Sequence, residues 1–179
     1  MRNRRPERLV QDIASRISES LAPAPGGSGY SFTSMRSDPL VADLSGIWEV
    51  VCHEIDEVPY ERAFAETALR DEKLEDVEYS ATYEFAGSSC VKRVRVRATA
   101  AGAPYEYRLG LVLSWRLSGT RMTAHPLSGY QYVTIDGTVY PVSELAASRE
   151  PVHIEVGIDG DGIVLRDGSD VKTLRRAGA

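Results

Sequence analysis

Cysteine is scarce in this 179-residue chain: Cys52 and Cys90 are the only two, and neither stands in a CxxC or Cys/His spacing. No zinc site is therefore signalled, and two reduced thiols are expected rather than a disulfide. Histidine is equally thin. His53, His125 and His153 fall on three different expected strands, none with a carboxylate or cysteine at ligand spacing, so a metal site would have to assemble in space. There is no Gly-x-Ser-x-Gly elbow, P-loop or dinucleotide fingerprint. No cofactor or metal is expected. Excess positive charge is also missing: the formal net charge is −5, which argues against nucleic acid as a partner. No apolar run reaches transmembrane length, and the opening MRNRRPER lacks the apolar core of a secretory signal. A cytoplasmic protein with no membrane partner is the expectation. Lysine is rare too, at 3 residues against 18 arginines, a bias resembling that of high-GC bacterial genomes.

The first structured element expected is an amphipathic helix. Leu9, Ile13, Ile17 and Leu21 recur every four residues, opposite a polar face of Gln11, Asp12, Arg16 and Glu19. Pro23 and Pro25 prevent its continuation, and a Gly/Ser-rich tether follows to residue 43. A helix this short is marginal alone, so its apolar stripe needs a surface. Residues 1–43 thus read as helix and tether, a lid, and 44–179 as the main domain.

From Leu44 onward the pattern is β. LSGIWEVVCHEID alternates. A short helix can follow over residues 61–73, and then come VEYSATYEF, CVKRVRVRATA, YEYRLGLVLSWRL, TRMTAH, YQYVTI, VHIEVGI, IVLRDG and VKTLRR. Ala86-Gly87-Ser88, Ser118-Gly119, Ser128-Gly129 and Asp136-Gly137 mark turns, and Asp159-Gly160-Asp161-Gly162 reads as a turn rather than a calcium loop. Arg93, Arg95 and Arg97 share one strand face, expected to be solvated, with an anionic ligand site as the other reading. Eight or nine long, consecutive, turn-linked strands favour a closed up-and-down barrel over a sandwich. Alternation groups Tyr79 with Tyr83, and Tyr105 and Tyr107 with Trp115. Tyrosines suit a cavity for a mostly apolar ligand, each hydroxyl needing a partner; the other reading places those hydroxyls at the rim or outside. By the same rule Gln131 faces opposite to Tyr130 and Tyr132, and only one set can point inward. Strict alternation also places Val50, Cys52 and Glu54 on the Trp48 side, making Glu54 an inward carboxylate that is either rim-exposed or functional.

The opening Leu44-Ser45-Gly46-Ile47-Trp48 and the hairpin meander after it resemble the lipocalin-like, or calycin, barrels. That resemblance implies an all-β, antiparallel, up-and-down eight-stranded barrel, here with an N-terminal amphipathic helix. It also implies that Trp48 closes one end, beneath a basic partner that is either Arg175 or Arg176.

Barrel, helix-plus-tether, size and composition together resemble the lidded [4+2] cyclases of spirotetramate and spirotetronate polyketide biosynthesis. The resemblance implies a cofactor-independent Diels-Alder type closure of a polyene tetramate or tetronate, for antibiotic-type products, under the helix carrying Leu9, Ile13, Ile17 and Leu21. Candidate catalytic polar contacts are Glu54, Tyr83, Gln131 and His125. Candidate substrate-binding residues are Trp48, Cys52, Tyr79, Tyr105 and Tyr107, with Trp115, Met122, Tyr130 and Tyr132. The expected partner is an apolar polycyclic or polyene small molecule. Two rivals stand beside this: a carrier that binds such a molecule without changing it, and a helix that serves as a docking element or builds a homodimer.

Overall fold

The computed structural model describes residues 44–67, 74–145 and 150–178. The lid residues Leu9, Ile13, Ile17 and Leu21, with the tether, lie outside the described residues, as does the end of the helix expected over 61–73. The described chain runs β1 (Gly46–Ile55), β2 (Val58–Pro59), α1 (Tyr60–Thr67), β3 (Leu74–Ala86), β4 (Ser89–Ala100), β5 (Ala103–Ser118) and β6 (Arg121–Ile135). It continues with β7 (Thr138–Leu145), β8 (Val152–Asp159), β9 (Gly162–Asp167) and β10 (Asp170–Arg176).

These strands close into an eight-stranded antiparallel β-barrel. The ring order is β1-β3-β4-β5-β6-β8-β9-β10, and β10 returns to pair with β1. Two-residue turns join β3 through β7 and β8 through β10. Asp136 and Gly137 both have positive φ, as do Ala101 and Gly102, which is the backbone a tight hairpin between twisted strands requires. β7 and β8 are two pieces of one stave: β7 pairs with β6 over Gly129–Ile135 and β8 over Arg121–Ala124.

The turn expected at Ser128-Gly129 does not exist. TRMTAH and YQYVTI are one strand, β6, whose pairing with β5 shifts by one residue between Ser128 and Pro126. Residues 125–128 lie between the β8-paired and β7-paired parts of β6. Pro126 keeps a place in the ladder opposite Leu113 of β5.

A second irregularity decides what faces inward. In β1, Val50 pairs with Leu174 and Cys52 with Thr173, so Val51 is an extra residue, a β-bulge. Trp48 is buried before the bulge and His53 after it, while Val51 and Cys52 are exposed. Alternation carried unbroken through Val51 gave the wrong face for every residue that follows it.

The interior holds two apolar clusters. One includes Leu74, Val96, Tyr105, Tyr107, Leu109 and Val133, with Phe64 of α1 packed among them. The other joins Leu44, Trp48, Phe85, Met122, Leu165 and Leu174 at the opposite end. Arg176, not Arg175, lies over Trp48, its guanidinium 4.7 Å from the ring centre and donating to the Ser45 carbonyl at 2.9 Å. Trp48 Nε1–H donates to the Leu44 carbonyl at 2.8 Å. Arg175 turns out to the β8–β9 turn and binds Asp159 and Asp161 at 3.3 and 3.2 Å, which ties down that turn.

Candidate functional site

Between the two apolar clusters the barrel interior is polar. On β10, Asp170 and Lys172 share the inward face with Leu174, which is fully buried. Across the pair, His53 stands opposite Lys172. On β4, Lys92 shares parity with Cys90 and Val94, both buried, and pairs with Tyr83 of β3. Alternation on three strands thus carries four ionisable side chains to one place.

Asp170 joins them. Its Oδ1 accepts from His53 Nε2 at 2.8 Å, and the same oxygen is paired with the Lys172 ammonium. His53 and Lys172 are 8% and 7% exposed, so both interactions are largely shielded from water. Burial alone would raise the Asp170 carboxyl, but the His53 hydrogen bond and the Lys172 charge outweigh it and hold the group at about 2. For His53 the balance falls the other way: burial lowers it, against the Asp170 hydrogen bond, and Lys172 adds to the lowering. At neutral pH the ring is therefore uncharged, and since ionised Asp170 can only accept, the ring proton sits on Nε2. Nδ1 is left a bare lone pair, buried and without a hydrogen-bond partner among the described residues.

The ring is held rigidly. It stacks on Tyr60, the first residue of α1, at 4.3 Å and 15°, and lies 5.0 Å from Tyr79. One turn later Phe64 reaches Tyr105 and Tyr107, with ring centres 6.5 and 6.2 Å away. α1 thus wedges into the barrel where β1 and β3 part: their pairing ends at Glu49 and Thr82. The slit opens a recess of about 190 Å³, lined by Val50, His53, Glu54, Pro59, Glu61 and Tyr79 among others.

Lys92 differs from Lys172. Its ammonium lies 5.6 Å from the centre of the Tyr83 ring, and no carboxylate among the described residues is within ion-pairing distance of it. Burial lowers its proton affinity, with Asp170 acting against that. Tyr83 is pushed up to about 12 by burial, although Lys172 opposes the shift. Deeper in, Tyr107 donates to Gln131 Oε1 at 3.2 Å, and the Tyr105 hydroxyl is buried without a partner among the described residues.

The structure sorts the residues expected from sequence. Tyr83, Gln131, Trp48, Tyr79, Tyr105, Tyr107, Trp115 and Met122 lie on inward faces of the barrel. Cys52 and Glu54 do not: the Val51 bulge turns Cys52 outward, and Glu54, sharing its face, lines the recess at the slit. Tyr130 and Tyr132 stack on each other outside, at 5.9 Å, because Gln131 takes the inward face. His125 pairs with Ser114 between the inward Ala124 and Pro126, which puts it outside as well. The arginine stripe is an outer ion-pair ladder, with Arg93 on Glu84 at 3.0 Å and Arg95, Arg97 and Arg108 around Glu106.

His53, Asp170, Lys92 and Lys172 were not among the candidates from sequence. The lysines carried one available signal: of the three in the chain, two point into the barrel. Both described lysines sit in the interior, where a compact single-point donor fits, while the described arginines line the surface. His53 and Asp170, 117 residues apart, gave none.

Two results follow from the geometry. With native protein, a thiol reagent should modify Cys52 alone, slowly because burial and the nearby Glu54 and Glu61 raise its thiol. Cys90, pushed up to about 12 by burial, should react only after unfolding. Mass spectrometry before and after denaturant reads this directly, and two equal rates would contradict the bulge. For acid unfolding the signs agree. His53, lowered in the fold, makes stability fall as pH drops below about 6.5, its ordinary value; Asp170, depressed, withdraws its contribution between about 4 and about 2. A denaturant series across pH should show both phases, and His53→Gln should lack the first.

Among the described residues no group of His, Cys, Asp and Glu is arranged to hold a metal ion, and no helix is long and apolar enough to cross a membrane. No protein-family model, curated protein or solved structure matches this chain.

Proposed function

We propose that the barrel encloses an apolar polyene with an acidic, ionised head ring and catalyses its intramolecular [4+2] closure without a cofactor, as for a polyene tetramate or tetronate. The observation that carries this reading is the charge inside the barrel. Lys92 and Lys172 share the interior with one carboxylate, Asp170, among the described residues, and Asp170 is already bonded to Lys172 and to neutral His53, so an anion brought beside Lys92 would supply the partner that favours its protonated form. An unpaired ammonium among apolar walls is unfavourable, and a bound anion relieves it.

The chemistry follows from that placement. An enolate oxygen on Lys92 would be stabilised in a shielded site, and hydrogen bonding to the head-ring carbonyl polarises an attached alkene toward cycloaddition. Tyr79, Tyr83, Tyr105, Tyr107 and Trp115 supply walls against which a flexible chain folds. Holding diene and dienophile in contact removes much of the entropic barrier. In this reading the amphipathic stripe at Leu9, Ile13, Ile17 and Leu21 excludes water by closing over the ligand.

The test is incubation with a linear polyene tetramate bearing an exocyclic methylene, followed by chromatography with mass detection. The reading predicts conversion to a single spiro-cyclohexene isomer well above the buffer rate, and loss of that conversion when residues 1–22 are removed. Tight binding with the linear compound released unchanged would establish a carrier instead. No binding would reject both.

A further inference from the structure

His53 presents a feature that an anion site alone does not need. Its Nδ1 is an acceptor lone pair, buried and unpartnered among the described residues, on a ring that Asp170 fixes at Nε2 and Tyr60 fixes by stacking. A buried acceptor left unpaired is unfavourable, so a ring held this firmly in that state is matched to a donor beyond the described residues. Water would serve, but so would a ligand donor entering by the recess that His53 lines with Tyr79 and Val50. Lys92 lies over the Tyr83 ring and His53 against the Tyr79 ring, two side chains on the same inward face of β3. Anion-seeking and donor-seeking groups thus border one stretch of the interior.

We infer that His53 is a specificity-determining residue: it accepts a hydrogen bond at Nδ1 from an N–H of the ligand's head ring, beside the anionic oxygen held by Lys92, and so selects a cyclic acyl amide over the matching cyclic ester. A lactam offers a donor at that position, whereas a lactone offers only ring-oxygen lone pairs that would face the Nδ1 lone pair. Sites built to pair with a donor discriminate strongly against analogues lacking it, because the buried acceptor is then left unsatisfied. This inference rests on the proposed reading of an anionic head ring.

The experiment uses the full chain and a matched pair of probes, 3-decanoyltetramic acid and 3-decanoyltetronic acid, both ionised at neutral pH, in calorimetric titrations. Wild type should bind the tetramate at least about tenfold more tightly, and His53→Phe, which keeps the stack on Tyr60, should bring the two within about twofold. Nitrogen NMR of histidine-labelled wild-type protein supplies a readout that needs no variant. The Nδ1 resonance of His53 should shift on adding the tetramate and stay in place with the tetronate, while Nε2 keeps its proton. Equal binding of both probes by wild type, or an unmoved Nδ1 signal, overturns the selectivity and leaves the anionic-ligand reading standing. Binding of neither overturns that reading and this inference with it.

Discussion

Replacing Lys92 with methionine should make the free protein more stable while weakening its hold on an acidic apolar ligand by tenfold or more. The two effects have one cause. Lys92 extends into the barrel over the Tyr83 ring, without a carboxylate partner among the described residues, and burial already lowers its proton affinity. Methionine fits a similar shape and removes the desolvation of an ammonium. Apolar replacements of buried charges are commonly neutral or stabilising, here by about 1 kcal/mol, or about 3 °C in Tm for a chain of this size. A residue kept for the fold gives the reverse result, a lower Tm. Calorimetric melting of the free protein and titration with 3-decanoyltetramic acid measure the two arms separately.

Asp170→Asn should do the opposite to the fold. Among the described residues Asp170 is the carboxylate that Lys172 and His53 share, and its charge is held by both of them. Asparagine cannot balance Lys172, which is 7% exposed and keeps a charge with nowhere to go. Breaking a buried pair from one side costs about 3–5 kcal/mol. With Asp170 itself about a third exposed, solvent screening reduces this to about 2–3 kcal/mol. Adding Lys172→Met to the same chain should restore most of the loss, since the stranded charge is then gone. Urea unfolding of the two single variants and the double variant gives the cycle. Additive losses would show that the pair does not act as one unit.

The barrel was legible because its strands obey local rules. Gly-containing turns separate them, and alternation along β3, β4 and β5 groups Tyr79 with Tyr83, Arg93 with Arg95 and Arg97, and Tyr105 with Tyr107 on single faces without reference to any other strand. Trp48 and a basic partner at the chain end were also readable, and only the choice of Arg176 over Arg175 needed the register of β10. The charged cluster was not legible, for two physical reasons. A single extra residue at Val51 exchanges the faces of all that follows, so Cys52 and Glu54 gave up the interior to His53. Alternation contains no mark of a bulge, which is set by strand pairing. Asp170 meets His53 only because the last strand closes the ring against the first, a contact of the whole topology rather than of any segment. Gln131 against Tyr130 and Tyr132 was a binary choice, settled by the hydrogen bond from Tyr107 inside the barrel and the stacked pair outside.

The central claim is that the barrel interior is built for a negatively charged head on an apolar body. Titration of the full chain with 3-decanoyltetramic acid, and with its neutral 4-O-methyl enol ether, tests this most directly, because the two differ in charge and hardly in shape. The account predicts that the anion binds at least about tenfold more tightly, and that the difference disappears in Lys92→Met. Equal affinity for the two, or preference for the neutral ether, would contradict it.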